Sequence, residues 1–440
     1  MTVTPIKTKA EQQLAAQFEA AAPALPGKGW VPAARRDAMK RFAADGLPHR
    51  KLEAWKYTDL RAVLKDVPAP ATSKAGKADI AKLNAALGPE LASLAAIRFV
   101  FVNGAFAAAD IPDAYTKSKS FHYDTLAASL GSKDYDWMES EFSATPSSPA
   151  ALNAAFVTDG LVLRVVAGVK LEPPIHLVFV TDSAEPRRTT TRNLIEIDNG
   201  AHVTILESHV GAGGAHHANA VTHLVAKEGA MVEHVKLLAE GGAATHLATW
   251  TADLQAGASY HAFQMSESPA LARNDINVTF AGENASFAFN AVALGRGKSH
   301  IDTTMVIDHA VPRCTSRENL RAVLDGEARG VFQGKVIVRP DAQKSDGKQM
   351  AKALLLSPNA EFDSKPELEI YADDVVCGHG STVAEMDEDH VFYLMARGIP
   401  EAQARALLTE AFAAEAIDAI RHDGIREAMR ARLAAWLAAE

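Results

Sequence analysis

The segment Cys377-Gly378-His379-Gly380 sets a thiol and an imidazole two residues apart. On an extended strand, residues i and i+2 project from the same face, so these two donors would stand side by side. Both are soft or borderline ligands suited to iron or zinc, and the flanking glycines leave room for a close approach. The same four residues also suit a buried cysteine and a hydrogen-bonded histidine in a turn. Read alone, the quartet leaves both possibilities open.

Histidine is the other unusual feature. Ten of the sixteen fall between His202 and His309: His202, His209, His216, His217, His223, His234, His246, His261, His300 and His309. A metal-binding barrel of the cupin kind would place Glu207 and His209 on one strand face, but the His-x-His pair of that class is absent. A metal site needs three or four converging ligands. On a β-solenoid the outward strand positions must be polar, and histidine serves there as well as threonine or glutamine. The row is therefore expected to be structural, with a metal-dependent enzyme on a His-rich solenoid face as the rival reading.

Other chemical signals fail on spacing. Gly330-Val-Phe-Gln-Gly334-Lys335 resembles a phosphate loop, but only three residues separate the glycines, and Val336 stands where Ser or Thr should bind magnesium. Gly211-Ala-Gly-Gly214 and Gly295-Arg-Gly297 lack the strand–turn–helix setting of a dinucleotide site and read as loops. No Gly-x-Ser-x-Gly elbow and no His-Glu-x-x-His pair occur. No catalytic constellation remains.

Two cysteines, Cys314 and Cys377, cannot build a disulfide framework, a four-cysteine zinc site or a self-contained cluster site, so a reducing cytoplasm is expected. The net charge of −9, with no long basic run, argues against nucleic acid or an anionic membrane as partner. Met1 to Gln17 lacks the apolar core of a signal peptide, and no run of about 18 apolar residues is present to span a bilayer.

The elements that must position these residues change character along the chain. Glu11 to Ala22 and Arg35 to Asp45 read as helices, stopped by Pro23 and Gly46. Val67 to Lys77 reads as a linker, and Arg98-Phe-Val-Phe-Val-Asn-Gly104 as a strand running into a turn. From about Asn153, Val-, Ile-, Phe- and Thr-rich segments follow one another. Gly200, Gly229 and Gly257 open similar Gly-Ala steps 29 and 28 residues apart; Asn284-Ala continues the series and Pro358-Asn-Ala is a later copy. Phe332, Val336 and Val338 share one strand face and Gln333, Lys335 and Arg339 the other, while Leu368 and Ile370 alternate with Glu367 and Glu369. Alternation fits a sandwich as well as a solenoid; the repeat spacing selects the solenoid. After about Asp387 a helical period returns, with Leu408, Phe412, Ala416 and Ile420 on one stripe, then Ile425, Met429, Leu433 and Trp436 beyond Gly424. These closing helices either cap the solenoid or dock a partner. The division expected is 1–155, helical and mixed; 156–386, β-helix; and 387–440, helical.

Several longer blocks carry a resemblance. Ser316-Arg-Glu318, Leu324-Asp-Gly326, Ala328-Arg-Gly-Val-Phe332, Val338-Arg-Pro-Asp-Ala-Gln343, Lys365-Pro-Glu-Leu-Glu-Ile-Tyr-Ala-Asp-Asp374 and Cys377-Gly-His-Gly380 resemble the core of the SufB/SufD family of iron–sulfur cluster assembly scaffold proteins. Phe392-Tyr-Leu, Arg397-Gly-Ile399 and Leu407-Leu408 extend the likeness into the closing helices. Glu53-Ala-Trp55-Lys-Tyr57-Thr-Asp59 is similar to the Trp-Lys-Tyr-Thr signature of the SufD branch, and Phe101-Val-Asn-Gly104 to its next block. Read without the resemblance, the tryptophan segment is a plain helix start capped by Thr58 or Asp59. Gly378 stands where serine is common in that branch.

The resemblance implies a mainly β fold, a right-handed parallel β-helix flanked by helical N- and C-terminal regions. It implies a non-catalytic scaffold subunit that pairs with a SufB-like chain through the β-helices. The C-terminal helices, through Leu408, Phe412, Ala416 and Ile420, would bind a SufC-like ATPase or build the pedestal that presents it. It further implies His379 as an iron or cluster ligand at the subunit interface, with Cys377 the weaker candidate. No cofactor is expected to be held tightly by the isolated chain, only transient iron or an iron–sulfur cluster in the complex. A homodimer is the variant expected when the chain is alone.

Overall fold

From Leu161 to Glu385 the chain coils as a parallel β-solenoid. The computed structural model describes residues 7–71, 79–132, 138–143, 146–211 and 214–439. Sixteen strands, from Leu161–Val165 to Val376–Glu385, alternate between two facing sheets and make eight coils of two strands each. Neighbouring coils stack in parallel register, as where His300 lies opposite Arg329 and His309 opposite Val338. The sheets also reach back into the N-terminal region, because Ile97–Val102 pairs in parallel with Ile175–Thr181.

The turn ladder explains the repeat spacing. Gly200, Gly229 and Gly257 adopt φ of 64, 65 and 66°, where a side chain is disfavoured, and each stacks on the one before. Asn284 continues that corner at φ 60°. Pro358-Asn-Ala does not belong to it. The Ala360 amide bonds Ser357, and Glu361 bonds Ala328, which places this turn at the opposite corner with Gly297 and Gly326. Short Gly-Ala or Asn-Ala steps occur at both corners, so the local pattern could not tell them apart.

Strand parity holds in the interior. Phe332, Val336 and Val338 are fully buried between the sheets. Gly330 and Gly334 share their face inside the strand Arg329–Val338, so the phosphate-loop likeness is a β-strand. A side chain at 334 would collide with Gln349 and with Phe332 from the same strand. Ile370 departs from the alternation and is 42% exposed, because Glu361–Ile370 is the last strand of its sheet.

The outer faces are covered by the two helical regions. Helix Lys9–Ala21 carries a complete capping box from Thr8 and Glu11, and Val31–Asp45 starts earlier than expected, with a proline in its first turn. The tryptophan segment lies as a strap over the nine-stranded sheet. Trp55 packs on the Arg273 guanidinium at 4.2 Å, Thr58 bonds Asp302 and His300, the Ala54 carbonyl accepts from Gln333, and Glu53 pairs with Lys365. Four successive coils are thereby tied together. Asp59 caps the short helix Leu60–Val63, so the helix-start reading holds for Asp59 while Thr58 reaches the sheet.

On the ten-stranded sheet, Ile80–Leu87, Glu401–Ile417 and Asp423–Ala438 pack over outward-facing Leu237, Met265, Leu294 and Val323. The closing helices therefore lie along the side of the solenoid and do not cap its end. The linker expected over Val67–Lys77 falls largely on residues 72–77, and the loop Gly211–Gly214 on 212–213, outside the described residues. No helix among the described residues is long and apolar enough to cross a membrane.

Candidate functional site

Stacked coils arrange side chains in columns, and two columns end at the sequence-marked pair. One runs Val203, Val232, Tyr260, Phe287, Ser316, Gly347, Cys377, and the other Ile205, His234, Ala262, Phe289, Glu318, Gln349, His379. Cys377 and His379 thus share the inward face of Val376–Glu385, as the two-residue spacing requires. Because this strand is the last of its sheet, nothing in the described chain stacks beyond it. His379 is exposed and Cys377 half-buried. The same open coil exposes apolar Tyr371 and Val376, each at 60%, and Val383, beside exposed Asp373, Asp374, Ser381 and Thr382.

Burial pushes the Cys377 thiol up, and nearby Asp346 and Glu318 add to the effect. The isolated chain therefore holds a thiol rather than a thiolate, the poorer metal donor. Two coils inward along the His379 column, Glu318 is enclosed, and burial pushes its carboxyl from 4.5 up to about 8. It carries a proton at neutral pH. Glu318 was quoted above only as part of a sequence block; its inward parity with Leu320 and Ala322 was the available signal for a polar group in the core.

Glu318 makes stability depend on pH. Between pH 4.5 and about 8 the folded chain keeps a proton that the unfolded chain has released, so stability falls as pH rises through that window. Glu318→Gln, neutral throughout, should match the parent near the bottom of the window. By about pH 9 it should be more stable by on the order of 3 kcal/mol. Melting temperatures at the two pH extremes check this; parallel pH profiles for parent and variant would contradict it.

The histidine row divides: His202, His217, His223, His261 and His300 are half-buried at outward strand positions, as expected, and four others are not. His209, His234, His246 and His309 lie between the sheets, each at most 2% exposed. Stacked rungs let polar side chains satisfy one another inside, which the outward-polar expectation overlooked. Glu207 accepts from His209 at 2.6 Å, and Lys236 stands 2.9 Å from the same carboxylate. Burial alone would raise the Glu207 carboxyl. The Lys236 charge and the histidine hydrogen bonds outweigh it and hold the group well below its ordinary value. Burial together with Lys236 brings His209 down to about 4. Cys314 is buried at a corner two coils in from the open end, and burial raises its thiol too.

The C-terminal stripe splits on burial. Ala416 and Ile420 are buried against the chain's own sheet, and Leu408 and Phe412 are half-buried, Phe412 beneath Arg321 at 5.2 Å. The stripe faces inward because one apolar helix face is needed to cover the sheet. Exposed apolar residues lie elsewhere: Phe392 at 71%, Tyr393, Met395 and Leu407, on Glu388–Met395 and the start of the next helix.

Comparison with known proteins agrees with this architecture. The family model for the SUF system FeS cluster assembly SufBD core domain matches residues 179–412, and that for the SufBD protein N-terminal region matches 8–177. The chain belongs to the SufBD family of iron–sulfur cluster assembly proteins. Within it the chain is similar to the iron–sulfur cluster assembly protein SufD of Escherichia coli, 29% identical over 90% of each chain. It is also 32% identical to a SufBD family protein of Synechocystis, over 88% of this chain and 86% of that one. A chloroplastic protein of Arabidopsis thaliana, ABCI7, is 29% identical over 64% of this chain.

Proposed function

We propose that this chain is a SufD-type scaffold subunit, cytoplasmic and not itself catalytic, that completes its site only by pairing with a SufB-like subunit. The observation that carries this is the open terminal coil: an unpaired strand edge, exposed apolar Tyr371, Val376 and Val383, and His379 and Cys377 projecting from the interior columns at that edge. Exposed edges of this kind recruit another strand. Two donors cannot complete a tetrahedral iron or cluster site, so the remaining ligands come from the paired chain. Iron or a nascent cluster is the cargo of that interface. His379 is the principal ligand; Cys377, held as a thiol, assists. The histidines that converge, His209 and His246, lie inside the solenoid, which favours this reading over an enzyme acting on a His-rich outer face.

Expression with SufB-like and SufC-like subunits should yield one complex on size exclusion. If the chain elutes alone, or only as a homodimer, in the presence of both, the reading is wrong. The C-terminal region carries the ATPase subunit through exposed Phe392, Tyr393, Met395 and Leu407, while the buried stripe is the pedestal. Phe392→Asp should leave the melting temperature unchanged and weaken ATPase capture about tenfold. Ile420→Asp, which buries a charge in the helix–sheet core, should cost about 3 kcal/mol of stability. Equal capture by Phe392→Asp would place docking elsewhere.

A further inference from the structure

Three donors meet at one corner of the solenoid, away from the open end. His209 lies near the end of His202–Gly211, Glu240 follows Met231–Ala239, and His246 begins the strand Thr245–Leu254. Each offers one ligand atom, and the three atoms lie within 4.8 Å of one another. We propose that His209, Glu240 and His246 form a binding site for a divalent first-row transition cation inside the solenoid. Two imidazoles and a carboxylate are the donor set that iron(II), zinc and cobalt share. The inference does not depend on the pairing reading, and it departs from the expectation that the isolated chain holds no ion tightly.

The surroundings favour a cation on three separate grounds. First, the imidazoles are oriented as metal ligands are. Glu207 pairs with Lys236 at 2.9 Å and accepts from His209 Nε2 at 2.6 Å, which leaves the Nδ1 lone pair of His209 for an ion. The His209 ring is fixed further by stacking on Phe179, centroids 4.7 Å apart. His246 Nδ1 lies 2.7 Å from Glu240 Oε2, so an ion bound here takes the place of the proton shared between those two atoms.

Second, the two imidazoles converge: the His209 and His246 rings meet edge to face with centroids 4.6 Å apart. The other ionisable groups facing the corner are Glu207, His234 and Lys236, and Lys236 is engaged by Glu207. Third, the site is reachable. Glu240 is 8% exposed while both histidines are deeper, so an ion meets a carboxylate at the rim before the imidazoles. Bonds of about 2.1 Å in tetrahedral geometry separate ligand atoms by roughly 3.4 Å. Side-chain rotations of about an ångström therefore close the set, and solvent completes it.

The test uses the full chain alone, stripped with chelator and titrated with cobalt(II) alone. One cobalt per chain should bind, with the visible d–d absorption of a four- or five-coordinate ion, and iron(II) or zinc should displace it. Glu240→Gln and His246→Gln should each lose the absorption and bind at least about tenfold more weakly, with the melting rise on cobalt addition abolished. His379→Ala should keep both signals. No absorption in the parent, or undiminished binding in both corner variants, overturns the proposal. Loss in His379→Ala alone overturns it as well, by assigning the ion to the open coil. Should His246→Gln fail to fold, Glu240→Gln, at the rim, decides. No partner subunit enters the measurement, so failure to assemble a complex leaves it unaffected.

Discussion

Lys236→Met should lower stability by about 3 kcal/mol at neutral pH, although the side chains are similar in volume. Lys236 and Glu207 are both fully buried, their charged atoms 2.9 Å apart. Removing the cation leaves an ionised carboxylate enclosed with two imidazoles. The hydrogen bond from His209 and the His234 Nε2 at 3.3 Å are together too weak to replace a full charge. The deficit relative to the parent should itself depend on pH. Lys236 helps burial to hold His209 at about 4. With the lysine gone, Glu207 draws a proton onto His209 at higher pH than before, so the deficit should shrink as the medium is acidified from about pH 8 towards pH 5. Urea titrations across that range measure it. A deficit that is constant with pH, or below about 1 kcal/mol, would show that the ion pair is not what holds this part of the core.

How far the sequence discloses this molecule depends on the range of the interactions involved. The coil repeat was legible because each corner needs a residue with positive φ and the corners recur at the length of one coil; Gly200, Gly229 and Gly257 state that period directly. The placement of Cys377 and His379 on one face was legible because strand parity is a local rule. What the sequence left ambiguous depends on which coil stacks on which. Two corners use similar turn residues, so Pro358-Asn-Ala was placed in the wrong ladder. An apolar helix stripe states that one face is buried, but not whether the chain's own sheet or another protein buries it, which is why Ala416 and Ile420 read as docking residues. The inward histidines followed the same pattern. Parity gives the inside or outside of a strand only once the neighbours on both sides are known, and the partners of His209 and His246, namely Glu207 and Glu240, differ in that respect. Glu207 sits two residues from His209 on the same strand, whereas Glu240 sits six residues before His246, across the turn that carries the chain from one sheet to the other. The family blocks identified the scaffold, and none of them includes this corner.

The largest functional effect should come from His379. Its imidazole ends a column whose inner members, Gln349 and Glu318, are buried, while the ring itself is exposed at an unpaired edge. A histidine in that position contributes little packing, so its removal should be nearly silent in the isolated chain. His379→Ala should melt within a degree or so of the parent and should still pair with the SufB-like subunit and bind the ATPase. Its loss should appear only when iron or a cluster is assembled at the interface, where a missing imidazole ligand should lower the iron retained per complex about tenfold. Cys377→Ser should be milder, because burial keeps that thiol protonated until a metal displaces the proton.

The most direct test of the scaffold reading is therefore anaerobic reconstitution of the complete complex carrying His379→Ala, with complex formation followed by size exclusion and cluster by absorbance and iron content on the same fractions. The account predicts an intact complex that is depleted of cluster. A His379→Ala complex that reconstitutes as the parent does, or one that never assembles, would contradict it.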